Sequence, residues 1–212
     1  MKKLRAIREK GHPLFLGVTG GIATGKSVVA QMLEDLGAYM IDFDVLSRSV
    51  VEPEKPAWEE IVQYFGEEIL LEDKTLNRKR LGEIVFSNMD KRKRLEGFTH
   101  PRIFDEFNRR IKQYSAKDPN AIIEAVVPLM FEVNLAHRFH KVLLVYIPQE
   151  LQIERLIKRD RISRRMALNI LKSQMSIEEK KEYANFIVDN SGSLDETRRQ
   201  VEAIWKKLTT QG

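Results

Sequence analysis

The sequence predicts an α/β fold: a parallel five-stranded sheet flanked by helices and interrupted by two helical insertions. Three observations carry that expectation. The runs "LFLGVT", "AIIEAVV" and "KVLLVYI" are continuously apolar, as parallel strands buried on both faces are. Segments with helical spacing of apolar residues separate them, the alternation that builds strand–helix–strand units. The first run also flows into a glycine-rich turn, "GGIATGKS", and from there into an apolar helix.

Taken in order, residues 1–13 read as a basic tail, and "LFLGVT" as the first strand. "KSVVAQMLEDLG" reads as a helix closed by Gly37, and "AYMID" as a second short strand. From about 57 to 117 the spacing is helical, as in "WEEIVQYF" and "RIFDEFNRRIKQY", and predicts a helical insertion. "AIIEAVV" and "KVLLVYI", each stopped by a proline (Pro128, Pro148), return to the sheet. A second helical insertion spans about 150–182. "NFIVDN" is the fifth strand, and a helix from about Leu194 to Leu208 ends the chain. The core is then 14–56, 118–149 and 183–212.

Composition narrows the chemistry. The 212 residues carry a net charge of +5, which favours an anionic partner without naming it. Cysteine is absent, which removes disulfides, thiolate catalysis and cysteine-based zinc sites. His137 and His140 stand three apart, but no third ligand follows, so a surface pair is expected rather than a metal site. No run approaches the ~18 apolar residues of a membrane helix. The basic start lacks a small-residue cleavage site before the glycine loop, so a cytoplasmic protein with no membrane partner is expected.

Gly20, Gly21, Ile22, Ala23, Thr24, Gly25, Lys26 and Ser27 match G-x-x-x-x-G-K-[ST] in full. Glycines let successive backbone N–H groups converge on phosphate oxygens, and the following helix adds its free N–H groups and the positive end of its dipole. Lys26 is placed to reach the β- and γ-phosphates, and the Ser27 hydroxyl to ligate Mg²⁺. Position between a strand and a helix makes this a nucleotide site. Ala23 lacks the freedom of glycine, and a negative φ is expected there.

"MIDFDVLSR" sets Asp42 and Asp44 two apart just past the second strand. In extended chain both would point one way, toward the edge where ligands of open α/β sheets bind. Such a pair suits proton acceptance from a hydroxyl or a hold on Mg²⁺; equally, it suits capping of the next helix. Glu124, inside the third strand, and Glu132, after it, do not form the metal-binding acid of a motor ATPase, which favours small-molecule kinases. "QIERLIKRDRISRRMALNILK" gathers Arg155, Lys158, Arg159, Arg161, Arg164 and Arg165. A nucleic-acid helix, a lid over ATP and a solvated face all fit this segment, although it lacks the aromatics of a single-strand platform.

Six ordered blocks resemble the dephospho-coenzyme A kinase family: "GVTGGIATGKS", "IDFDVLSRSVVEPEKPAW", "LGEIVFSN" with "HPRI", "VPLMFE", "QELQIERLIKRD" and "SQMSIEEKKEYANFIVDNSGSL". The resemblance implies a P-loop kinase-like core, an acceptor-binding helical insertion and a lid. It further implies transfer of the γ-phosphoryl of ATP to the ribose 3′-hydroxyl of dephospho-coenzyme A, with ATP and Mg²⁺ at the loop, including Val28. It assigns Asp42 as the base and Arg159 as a lid arginine for the phosphates. Arg48, His100 and Arg102, with Asp42 and Asp44, fall to the acceptor side, and Asn190 and Gly192 to a loop near the adenine. No specific nucleic acid is implied, and a monomer or small homo-oligomer is expected. Three positions depart from the family pattern: Ala23 for glycine, Phe43 between the aspartates, and Asn185 for aspartate. A nucleoside, nucleoside monophosphate or shikimate kinase and an ATP-regulated nucleic-acid binder stand as alternatives.

Overall fold

Five strands, β1 (Leu14–Gly20), β2 (Tyr39–Asp42), β3 (Ile122–Val126), β4 (Lys141–Tyr146) and β5 (Phe186–Asp189), form one sheet in the order β2-β3-β1-β4-β5. The computed structural model describes residues 11–210, so most of the basic tail lies outside the described residues. β1 pairs in parallel with β3 on one side and β4 on the other, and β5 extends the sheet from β4. The glycine loop therefore leaves the sheet from its centre.

In the unit made of residues up to Ile41 and from Tyr114, one apolar cluster covers one face of this sheet, while Ile123, Ala125, Val142 and Leu144, which point to its other side, are buried as well. Leu14, Leu16 and Val18 of β1 meet Val29 and Leu33 of α1 (Lys26–Asp35) and Val201, Ile204 and Leu208 of α9 (Leu194–Thr210). Gly37, at φ +111°, closes the end of α1 as expected. Three helices of the second insertion, α6 (Gln149–Asp160), α7 (Arg164–Lys172) and α8 (Ile177–Lys181), belong to the same unit. Ile153, Leu156 and Ala167 form a small core there, and Ile22 and Ala23 of the glycine loop pack on it. The basic stretch, for which three readings stood open, is thus amphipathic, with its apolar side against the loop.

Two polar side chains finish the strands. Asn185 Oδ1 accepts from Val142 N at 2.7 Å while Asn185 N donates to Val142 O, so the side chain completes a rung just before β5. A carboxylate oxygen would serve equally, and the departure from aspartate is structurally neutral. His140 Nδ1 accepts from Phe15 N at 2.8 Å, and its ring stacks on Phe15. His140 is therefore a strand-end residue rather than half of a metal pair.

Residues Asp42–Gln113 form a second compact unit. Its helices are α2 (Phe43–Ser49), α3 (Pro56–Phe65), α4 (Arg78–Phe86) and the long α5 (Met89–Lys117), which carries Pro101 in its interior. Val50 and Val51 share an apolar cluster with Ala57, Ile61, Phe65 and Leu81. That sharing draws the unit's start back to Asp42, earlier than residue 57, where the helical spacing begins. Among the described residues no helix is long and apolar enough to cross a membrane.

One core residue breaks the apolar pattern. Glu124 of β3 is fully buried, and neither carboxylate oxygen has a hydrogen-bond partner. Its neighbours two residues away, Ile122 and Val126, belong to the α1-side core. Burial first, then the charge of Glu34, pushes its pKa up to about 9. The folded state keeps a proton there that the unfolded chain releases above about pH 4.5. Its stability contribution is therefore full below that pH and is lost as pH rises toward 9. Denaturant unfolding of the wild type should show stability falling between pH 6 and 9, by up to ~1.4 kcal/mol per pH unit. Glu124→Met should flatten that slope; an unchanged slope would place the titration elsewhere.

Candidate active site

β1 ends at Gly20 and α1 starts at Lys26, so the loop between them turns the chain within five residues, 21–25. Gly25 caps α1 in the left-handed region, at φ 86° and ψ 28°. Ala23 is left-handed too, at φ 61°, which corrects the expected negative value. The physical reason is that an anion nest alternates handedness along the chain, and Ala23 and Gly25 flank Thr24. An alanine in that region costs ~1 kcal/mol. Packing of Ile22 and Ala23 against Ile153, Leu156 and Ala167 offsets it.

Inside the loop, Lys26 Nζ donates to Gly21 O at 2.8 Å and to Gly20 O at 3.3 Å. Thr24 Oγ1 also donates to Gly21 O, at 3.0 Å. Val28 N and Val29 N both donate to Gly25 O, which opens the first turn of α1 at Gly25. Ser27 and Val28 are exposed. The arrangement presents N–H groups, a helix dipole and an ammonium together, which is what polyphosphate requires.

The closing loop after β5 sits against this turn. Asn190 is almost fully buried; its Nδ2 donates to Thr24 O at 2.8 Å, and its Oδ1 accepts from Thr197 Oγ1 at 2.9 Å. Gly192 lies beside it, lining an open groove with Asp189, Ser191, Glu196, Arg199 and Gln200. On the lid, Arg159 is exposed and makes a bidentate pair with Asp160, Nε–Oδ1 2.7 Å and Nη2–Oδ2 2.9 Å. That hydrogen bonding raises the Arg159 pKa and lowers that of Asp160. Arg155 instead donates to Asn190 O at 2.9 Å.

In the second unit Asp42 is the N-cap of α2. Its Oδ1 accepts from Asp44 N at 2.7 Å and Val45 N at 3.2 Å. The chain turns helical at Phe43, so the two carboxylates do not share one side of an extended strand. Asp44 stands in the first turn of α2, and capping is the reason the pair has this spacing. Phe43 packs against Phe107 and Phe104, which accounts for the bulky residue between them. Arg48 is exposed near the end of α2, and His100 is exposed on α5. Arg102 is engaged: Nη2 donates to Glu60 Oε1 at 2.9 Å and Nη1 to Phe98 O at 2.7 Å, in the turn that Pro101 weakens. Arg78, at the start of α4, is one residue that motif reading passed over. Burial first, then the like charge of Arg48, lowers its pKa, while Asp44 opposes the shift.

Also missed were Gln174, whose Oε1 accepts from Ile22 N at 3.2 Å, and Thr197 behind Asn190. A glutamine in a turn and a threonine in a helix give no signal in one sequence.

A parallel sheet with this central loop, an amphipathic helical insertion packed on it and a helical second unit define the class of P-loop kinases. The comparisons identify the branch. The model of the dephospho-CoA kinase family matches residues 14–196. A dephospho-CoA kinase of Syntrophus aciditrophicus is 43% identical, over 94% of this chain and 85% of that protein. One from Geobacter metallireducens is 46% identical over 92% and 96%. The solved dephospho-CoA kinase of Campylobacter jejuni is 31% identical, covering 92% of this chain and 97% of that one, with a TM-score of 0.63. The chain belongs to the dephospho-CoA kinase family.

Gly25 tests the loop geometry. A Cβ at this position would stand 2.2 Å from Asn190 Nδ2, in a backbone conformation L side chains rarely adopt. Gly25→Ala should weaken ATP binding by about 100-fold or more, read by titration calorimetry, while circular dichroism shows the sheet intact. Wild-type affinity in that variant would mean the loop does not hold the phosphates.

Proposed function

We propose that this protein transfers the γ-phosphoryl group of ATP to the ribose 3′-hydroxyl of dephospho-coenzyme A, giving coenzyme A and ADP. This is the last step of coenzyme A synthesis. The observation that carries the reading is family membership across residues 14–196, together with a glycine loop in which Ala23 and Gly25 are both left-handed. Residues Gly20 to Val28 hold the donor. Lys26, whose ammonium lies over the loop carbonyls, offsets charge on the β- and γ-phosphates. Asp42 takes the proton of the attacking hydroxyl as the 3′ oxygen bonds to phosphorus and ADP departs with the cleaved bond's electrons. The cap bonds to Oδ1 fix the carboxylate, and its second oxygen is the one to face the hydroxyl.

Arg159 serves the transferring phosphoryl from the lid, exchanging Asp160 for phosphate oxygens. Arg48, Asp44, His100 and Arg102 belong to the acceptor side. Arg102 acts there by bracing α5 against Glu60 of α3. Mg²⁺ fits the donor set: Ser27 supplies an exposed hydroxyl at the start of α1. Ser27 would hold the ion together with the nucleotide, and the ion would supply charge neutralisation to the phosphates. We place the enzyme in the cytoplasm, acting on small molecules as a monomer or small homo-oligomer.

The deciding assay measures ADP release from ATP·Mg²⁺ with dephospho-coenzyme A, AMP, CMP, UMP or shikimate as acceptor. Stimulation by dephospho-coenzyme A alone is expected; turnover on another acceptor would restrict the family resemblance to fold and donor site. Two variants then divide the roles. Lys26→Ala should lower kcat by about 100-fold or more. Asp42→Asn keeps an equally good helix cap, so its Tm should stay near wild type while kcat drops by about 100- to 10,000-fold. A near-normal kcat in Asp42→Asn would remove Asp42 as the base.

A further inference from the structure

We infer that two side-chain amides outside the motif, Asn190 and Gln174, act as positioning residues that hold the phosphate loop in its binding conformation. The inference rests on the loop being the ATP site and says what keeps it formed. Asn190 acts through its bond to the loop.

The argument is one of peptide planes. A trans peptide is rigid, with its C=O and N–H directed to opposite sides. Asn190 Nδ2 draws Thr24 O outward, into a buried network with Thr197. The N–H of the same peptide, that of Gly25, must then point to the opposite, phosphate side. Gln174 performs the converse step one turn earlier. Its Oε1 accepts from Ile22 N, so the Gly21 carbonyl of that peptide faces inward. Gly21 O there receives both Lys26 Nζ and Thr24 Oγ1. One amide thus aims a donor at the phosphates, and the other sets the carbonyl that steers the lysine.

Each positioning residue is itself held. Asn190 N donates to Tyr146 O at 2.9 Å, and Arg155 donates to Asn190 O. Gln174 lies in the turn between α7 and α8, where the next amide, Met175 N, donates to Glu132 Oε1 at 3.0 Å. The same oxygen stands 2.8 Å from Nζ of the fully buried Lys180, an ionic contact outside hydrogen-bond geometry. Neutral amides suit both places because a carboxylate would add negative charge beside the nucleotide phosphates. At 190 it would also turn a donor into an acceptor facing a carbonyl.

The test separates positioning from simple packing. Gln174→Met keeps the volume and removes the acceptor, Gln174→Glu keeps the acceptor, and Asn190→Asp reverses the donor. Thr197→Val acts at one remove and guards against a misfolded Asn190 variant. ATP affinity by calorimetry, KM for each substrate, kcat and Tm are measured for all four. We expect Gln174→Met and Asn190→Asp to raise Kd and KM for ATP about 10-fold or more, with KM for dephospho-coenzyme A within about twofold. Thr197→Val should shift ATP affinity in the same direction by less, and Gln174→Glu, which keeps the acceptor but adds a negative charge, should recover part but not all of what Gln174→Met loses. Lowered Tm with unchanged ATP affinity in these variants would overturn the inference, as would equal shifts for both substrates. Failure of the wild type to bind ATP would instead overturn the donor-site reading itself.

Discussion

The loop between β1 and α1 has to hold two left-handed residues, Ala23 and Gly25, one residue apart, and the surrounding structure is organised by that constraint. An isolated chain of this sequence would not stay in such a conformation, because alanine disfavours it and glycine loses entropy in any fixed state. The cost is met by contacts on both flanks. Ile22 and Ala23 bury against the lid helices α6 and α7, and Thr24, fully buried, is bonded by Asn190 from the loop after β5. The sheet order brings these flanks together. β1 sits at the centre with β4 beside it and β5 next, so the chain segments that leave β4 and β5 reach the glycine loop.

The lid is consequently more than a movable cover. Its α7–α8 turn is tied to the segment after β3 through Glu132, which contacts both Met175 N and the buried ammonium of Lys180. An ion pair with a wholly buried member is weak support for net stability, since desolvation of both charges opposes their attraction. It is strongly specific, however, because losing either partner strands a charge. Here that specificity fixes the turn carrying Gln174. At the exposed α6–α7 corner, by contrast, Arg159 pairs with Asp160 at the surface.

Strand runs and the phosphate motif were legible because each signal is local. Continuous apolar residues mark buried parallel strands, and glycine spacing marks the turn. The five strands followed from such local runs, whereas the order of the sheet, which pairs strands distant in the chain, did not. The handedness of Ala23 was not legible, since it depends on a lid that begins more than a hundred residues later in the chain. Asp42 and Asp44 misled for a related reason: spacing of two implies a shared side only while the chain stays extended, and the cap bonds turn it at Phe43. Gln174 and Thr197 were invisible because their partners are backbone groups and one side chain distant in sequence. Asn190 was visible only as part of a family block, and its bonds give that block a physical content the block itself did not carry.

The residues assigned to chemistry lie where regular structure stops. Lys26 opens α1, Asp42 ends β2, Arg159 lies one residue before the end of α6, and Asn190 follows β5. Ends of elements leave backbone N–H and C=O groups without partners, and a side chain placed there is held by those groups at little conformational cost. Asp42 illustrates the gain: the two amide bonds that cap the first turn of α2 also fix its carboxylate, so that positioning and folding use the same hydrogen bonds. The opposite holds at Glu124, which sits in mid-strand with no such groups to bind it and remains a buried acid without a partner. Its position costs stability as pH rises, and the contrast is with the residues at strand and helix ends, which find backbone partners there.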